Sequence, residues 1–211
     1  IASLGKYINS GLNYRQGTSL GDGTCGLCSL GNIATAIKLM RAKAKGGMQG
    51  LNNMISQMRK MNLPKRLEYA LIRNGQHVGG GGTTQWQQAA NMKNMPKLIG
   101  GILGLKKNIF GGTAYAGTSF LDKVLAQGRL AQINIASSGL FGGGNMVRGG
   151  IDHAVSIGGM RIGADGRKQY ALMDSSGYRA GRGAQWINES QLSGGRFEIT
   201  YTKPLAEILK A

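Results

Sequence analysis

Cysteine and histidine are scarce: the chain has two of each, Cys25 and Cys28, His77 and His153. The cysteines fall on one helical turn, which is badly placed for a structural disulfide with its particular Cα and Cβ separations. That excludes a disulfide framework, and free thiols suggest a reducing compartment at the site of action. The pair also resembles half of a zinc site, but the two histidines complete no known finger spacing. Acidic residues are few as well, and Asp22 is the only one before Glu68. Apolar runs near the roughly 18 to 20 residues that span a bilayer are lacking, as is a charged-then-apolar signal segment. The chain begins at Ile1, so the expectation is a soluble piece of a longer protein. No repeat of fixed period occurs, which argues against a solenoid. None of the glycine runs ends in the Lys-Ser/Thr of a phosphate loop, so no nucleotide site is expected.

What the chain does have is positive charge: 26 Lys and Arg against 9 Asp and Glu give +17. Nucleic acid, an anionic membrane surface, an acidic substrate or an acidic neutralising protein would each gain from long-range attraction to it. A solvated surface that only keeps the protein soluble accounts for the charge equally well. No Lys/Arg cluster is interleaved with aromatics as single-strand binders require, which makes nucleic acid a secondary partner.

Glycine is abundant, 37 of 211 residues, and the runs at 46–47, 79–82, 100–101, 111–112 and 142–144 read as loops between apolar segments. From Cys25, the residues Leu30, Ile33, Ala34, Ile37 and Met40 keep helical spacing. Further helices are expected at 51–61, at 65–74 after Pro64, at 84–95 after a Thr83 cap, and at 119–127. After Gly128 the texture changes to short β-prone runs at 129–136, 153–159, 169–174 and 196–201. Ala164-Asp165-Gly166 is a hairpin turn signal that would bring His153 and Asp174 to neighbouring strand ends. The length suits one catalytic domain over 1–211, helical to about 127 and sheet over about 128–203.

A thiol attacks as its thiolate, and a helix N-terminus offers partial positive charge and unpaired N–H groups. Cys25 and Cys28, in Gly23-Thr24-Cys25-Gly26-Leu27-Cys28, both sit at such a position. An imidazole against the thiol can take its proton and return it to a leaving group, while a carboxylate fixes the ring's orientation. His153 and Asp174 can fill those roles. Taken singly, a Cys on an apolar helix face is more often packing, and a His at a strand start is more often simply hydrogen-bonded. The order of the three is more specific than any member. His77, ahead of four glycines, reads as an exposed loop residue. Trp86 and Trp186 read as core or cleft-wall residues.

Ile151-Asp152-His153-Ala154-Val155-Ser156-Ile157-Gly158-Gly159 resembles the histidine strand of papain-like cysteine peptidases. Tyr170-Ala171-Leu172-Met173-Asp174-Ser175-Ser176-Gly177 resembles their Asn/Asp strand, and 125–133 is similar to the helix, glycine and strand before the histidine in bacterial members. The resemblance leaves about residues 45–115 unmatched. It implies a papain-like α+β fold, with an N-terminal catalytic helix packed on a C-terminal antiparallel sheet, and it implies no cofactor and no metal. The nucleophile it implies is Cys25, as in double-glycine leader peptidases and papain-like effectors, with Cys28 as the alternative by analogy with papain's own Cys-Gly-Ser-Cys. An oxyanion donor upstream of the thiol falls on Gln16, at a longer spacing than the family's, or on Asn13.

A very basic papain-like domain with free thiols looks like a toxin or effector module of a bacterial secretion or contact-dependent system. It would be delivered to act in a target cell's cytoplasm and be neutralised by an acidic immunity protein. Leader-peptidase likeness implies cleavage of a protein after Gly-Gly, since only glycine lets a backbone lie in a narrow groove near the thiol. The same triad serves glutamine deamidase or transglutaminase toxins. The reading of another class is a basic nucleic-acid-binding or nuclease module whose cysteines are incidental.

Overall fold

The computed structural model describes residues 24–75, 82–175 and 184–210. Leu27, Leu30, Ile33, Ala34 and Ile37 recur at helical spacing and are all fully buried, so the helix starting at Cys25 lies at the centre of the helical half. This helix, α1 (Cys25–Lys60), is two helices joined at Gly47, whose φ of 63° and ψ of −153° break the helical ladder. The 46–47 doublet therefore marks a kink rather than a loop. Asn62, at a left-handed φ of 47°, turns the chain into α2 (Leu63–Asn74).

The helix expected over 84–95 is shorter and starts one residue later. In α3 (Gln85–Lys93) the cap is Thr84, not Thr83: its hydroxyl accepts from the Gln87 N–H, and the Gln87 side chain accepts from the Thr84 N–H. Pro96 has no N–H to continue that helix, and a separate α4 (Met95–Leu103) begins around it. Gly100 and Gly101 lie inside α4, and Gly111 and Gly112 inside the first strand, where loops were expected. Close packing explains two of these glycines. A Cβ on Gly100 would stand 2.7 Å from the Leu105 carbonyl oxygen, and one on Gly111 would stand 2.5 Å from that of Thr202.

Beyond α4 come β1 (Phe110–Ala116), α5 (Thr118–Ala126), β2 (Ala131–Ile135), α6 (Ser137–Gly142), β3 (His153–Ile162), β4 (Lys168–Met173), β5 (Ala184–Asn188), β6 (Phe197–Thr202) and α7 (Leu205–Leu209). The six strands form one sheet in the order β1-β6-β2-β3-β4-β5, with every neighbouring pair antiparallel. β1 corrects the boundary expected near residue 128: the sheet takes an edge strand from the part read as helical, and the chain ends the described region in a helix. The expected turn joins β3 to β4, with Gly166 at φ 79° and its N–H bonded to the Gly163 carbonyl. The fold is thus mixed α+β, with α1 against the sheet. No described helix is long and apolar enough to cross a membrane.

Strand alternation divides the interior. Ile133, Ile135, Val155, Ile157, Phe197 and Ile199 join Leu121, Val124 and Leu125 of α5 in one apolar cluster. The intervening residues on β2, β3 and β6 are Gln132, Asn134, Ala154, Ser156, Glu198 and Thr200, and Gln132 bonds across to α1. The helical half has its own apolar cluster, built from α1, α2 and α4 with Leu205 and Ile208 of α7. Between the two cores runs a buried polar seam.

Candidate active site

Thr24 precedes α1 without a side-chain cap, so the first-turn N–H groups have no acceptor within the helix and face the Cys25 end with partial positive charge. β3 begins at His153, held in register opposite Ile135 of β2. The residue before it, Asp152, accepts from both the N–H and the hydroxyl of Ser137 at 2.8 Å, which ties the start of α6 to the start of β3. Asp174 directly follows β4, the hairpin partner of β3.

The three side chains expected to act together meet there. His153 Nε2 lies 2.6 Å from Asp174 Oδ1, with both residues buried. The ring also hydrogen-bonds the Cys25 thiol.

Electrostatics separate the two cysteines. Burial raises the Cys25 thiol, but the hydrogen bond and charge of His153, with the N–H groups of Ala154 and Gly26, outweigh it and hold the thiol below its ordinary value. For Cys28 burial dominates: its thiol is pushed up to about 12, even though it bonds Thr24 Oγ1 at 3.7 Å. Burial would lower His153, yet its bonds to Asp174 and Cys25 and their charges push it up to about 9. The two shifts, the thiol down and the imidazole up, both favour a thiolate facing an imidazolium over the neutral pair. Chemically, the arrangement can present a sulfur nucleophile and a proton donor to one electrophilic carbon.

Gln16, Asn13 and His77 lie outside the described residues. Trp86 does not belong to a core: it is 83% exposed on the first turn of α3. Trp186 packs on Ala171 and Met173, with the Arg161 guanidinium 3.9 Å from its ring centre. Among the described residues no group of three or more His, Cys, Asp and Glu side chains is placed to hold a metal ion.

Two features of the site are absent from the reading of the sequence. Thr83 packs directly on Gly26, where a Cβ would fall 1.8 Å from the Thr83 hydroxyl oxygen. Gln132 reaches from β2 into the first turn of α1, with its Nε2 donating to the Gly26 carbonyl at 2.7 Å and to the Ser29 hydroxyl. A Gln between apolar residues in a strand looks like the ordinary outward member of an alternation, so only the docking of α1 reveals it.

No protein-family model matches the chain, and a search of curated proteins finds no match.

Proposed function

We propose that this chain is a papain-like cysteine peptidase with Cys25 as nucleophile, His153 as proton carrier and Asp174 as the residue that orients the ring. One observation carries the reading: the hydrogen-bonded series from the Cys25 thiol at a helix N-terminus, through His153, to Asp174 at the end of the adjacent strand. The divergent thiol values support Cys25 over Cys28, because a thiol held near 12 supplies almost no thiolate at neutral pH.

In this reaction the Cys25 sulfur attacks the scissile carbonyl carbon, and the carbonyl oxygen takes up the displaced electron pair. First-turn N–H groups of α1 face the developing oxyanion. As the C–N bond breaks, the His153 imidazolium gives its proton to the leaving amine, and a thioester remains on Cys25. His153 then takes a proton from water, whose oxygen attacks the thioester; the acid departs and the thiolate is restored. Asp174 keeps the ring turned toward the sulfur and stabilises its charged form throughout.

The biological setting we propose is that of a bacterial toxin or effector domain acting on a protein in a target cell, with an acidic immunity protein as its inhibitor. The +17 charge supports an acidic partner. Double-glycine sites are the substrates to try first, from the likeness of the Cys25-Gly26 region to leader peptidases.

The test is the intact mass of candidate target proteins after incubation with the domain. A split chain is expected. A gain of about one mass unit, from amide-to-acid exchange, would replace peptidase by deamidase on the same triad. Activity that survives Cys25→Ala and Cys28→Ala together would overturn the thiol mechanism.

A further inference from the structure

We infer that Gln132 is a positioning residue that sets the Cys25 thiol against His153 by clamping the first turn of α1 to the sheet. The inference rests on the peptidase reading and adds to it a residue outside the triad.

The nucleophile and its proton carrier come from opposite sides of the polar seam: Cys25 from the helical half, His153 and Asp174 from the sheet. Apolar packing is non-directional and tolerates sliding of one layer over the other, whereas hydrogen bonds fix a register. The large apolar clusters lie on either side of the seam rather than in it. What crosses it at the Cys25 end is Gln132, fully buried, with one amide nitrogen donating to the Gly26 carbonyl at 2.7 Å and to the Ser29 hydroxyl. Ser29 closes the loop by donating its own hydroxyl to the same Gly26 carbonyl at 2.9 Å.

The position of Gln132 in the sheet makes this a direct link to the other half of the site. Gln132 pairs in register with Ser156 of β3, and Ile135 on the same strand pairs with His153. β2 thus holds the start of the histidine strand with its backbone and the start of the cysteine helix with one side chain. Gly26 matters in turn because its N–H is one of the two backbone donors to the Cys25 sulfur, the other being that of Ala154 in β3. Other side-chain links to the sheet come from α3, Gln88 to Asn134 at 2.9 Å with Asn134 to Glu198, and Gln85 to the Ala114 and Ile199 carbonyls, and none of them bonds the first turn of α1.

Gln132→Met keeps most of the volume and removes both donated bonds. The readout is alkylation of Cys25 by iodoacetamide, located by peptide mass spectrometry and followed from pH 4 to 10, alongside kcat and KM on a cleaved peptide. Wild-type protein is expected to alkylate with a midpoint below the ordinary thiol value. In Gln132→Met the rate at pH 6 is expected to fall by about tenfold or more and the profile to move to higher pH, with kcat down about 10- to 100-fold and KM little changed, as a small misplacement of reacting groups costs. Gln132→Glu keeps the shape and can donate only when protonated, so its alkylation rate should approach that of wild type at the acid end of the range and depart from it above. This pattern is not expected from a purely structural role.

A Gln132→Met protein with a lowered Tm but an unchanged alkylation profile and kcat would overturn the inference and leave the triad reading intact. Wild-type Cys25 whose alkylation midpoint lies at or above the ordinary thiol value would overturn the depressed thiol itself, and this inference with it. If neither variant folds, Gln132 is a folding residue and the positioning role is overturned.

Discussion

The Nε2 of His153 stands 2.6 Å from Oδ1 of Asp174, joining the first residue of β3 to the residue just past β4. This contact and the hydrogen bond between the ring and the Cys25 thiol set the sign of the pH dependence. In the proposed reaction, the sulfur is protonated and cannot attack below the depressed Cys25 value, and above about 9 His153 loses the proton that the leaving amine needs. The expected kcat/KM profile is a bell with its alkaline limb near 9 and its acid limb below the ordinary thiol value. Asp174→Asn removes a charge that raises His153, so the alkaline limb should move to lower pH. A limb that stays in place would show that Asp174 does not control the ring.

Removal of triad members should be unequal. Cys25→Ala and His153→Ala are expected to abolish activity while far-UV circular dichroism remains unchanged, since the members act as a unit. Asp174→Ala should cost less, because the orienting carboxylate is commonly the least severe loss. A Cys25→Ala protein that retains turnover would remove it as nucleophile.

Cys28→Ala tests the choice between the thiols. Cys28 is fully buried among Leu27, Leu30 and their neighbours, so trimming it should cost about 1–2 kcal/mol of stability as a small cavity. Turnover should stay within about twofold of wild type. Inactive, folded Cys28→Ala beside active Cys25→Ala would transfer the nucleophile's role and leave the enzyme class standing.

Gly26→Ala should be costly for a steric reason. Its methyl would fall 1.8 Å from Thr83 Oγ1, so either the cysteine helix or the segment before α3 must move. Overpacking of this kind costs about 1–3 kcal/mol, read as a lowered urea midpoint, and it displaces the thiol. Thr83→Ala removes the offending hydroxyl and should restore part of both stability and activity to Gly26→Ala. Absence of any rescue would mean that the effect arises within α1.

The elements that could be read from the sequence are those whose signals are local. The stripe from Leu30 to Met40 declares its helix by period, and Asp165-Gly166 declares the hairpin that brings His153 and Asp174 together. β1 is not legible in the sequence because Gly111 and Gly112 erase its alternation, and they are glycines on account of Thr202 and Tyr201 across the ladder. Short segments such as α6 and α7 are stabilised by what they pack on rather than by their own periodicity. The grouping of Cys25, His153 and Asp174 was legible because their order along the chain carries information. Gln132 and Thr83 were not, since their partner Gly26 is remote in sequence.

The distribution of charge yields the last prediction. From residue 24 to 108, every Asp, Glu, Lys and Arg except Glu68 is a Lys or Arg, whereas Asp122, Asp152, Asp165, Asp174, Glu189, Glu198 and Glu207 all follow. The exposed outer side of α2 carries Lys65, Arg66 and Arg73, with Arg73 5.9 Å from the ring centre of exposed Tyr69. Such a field should speed capture of an acidic partner more than it assists chemistry at Cys25, because steering acts over long range and the sulfur's own environment is short-range. Association with a fluorescent glutamate-rich peptide, followed by stopped flow, should therefore slow by about tenfold or more as salt rises and the screening length falls to about 8 Å. Alkylation of Cys25 by neutral iodoacetamide should change little over the same series. Lys65→Glu with Arg66→Glu should reduce the first rate and leave the second alone. Equal and weak salt dependence in both would mean that the positive charge serves solubility only, and the steering role would be discarded.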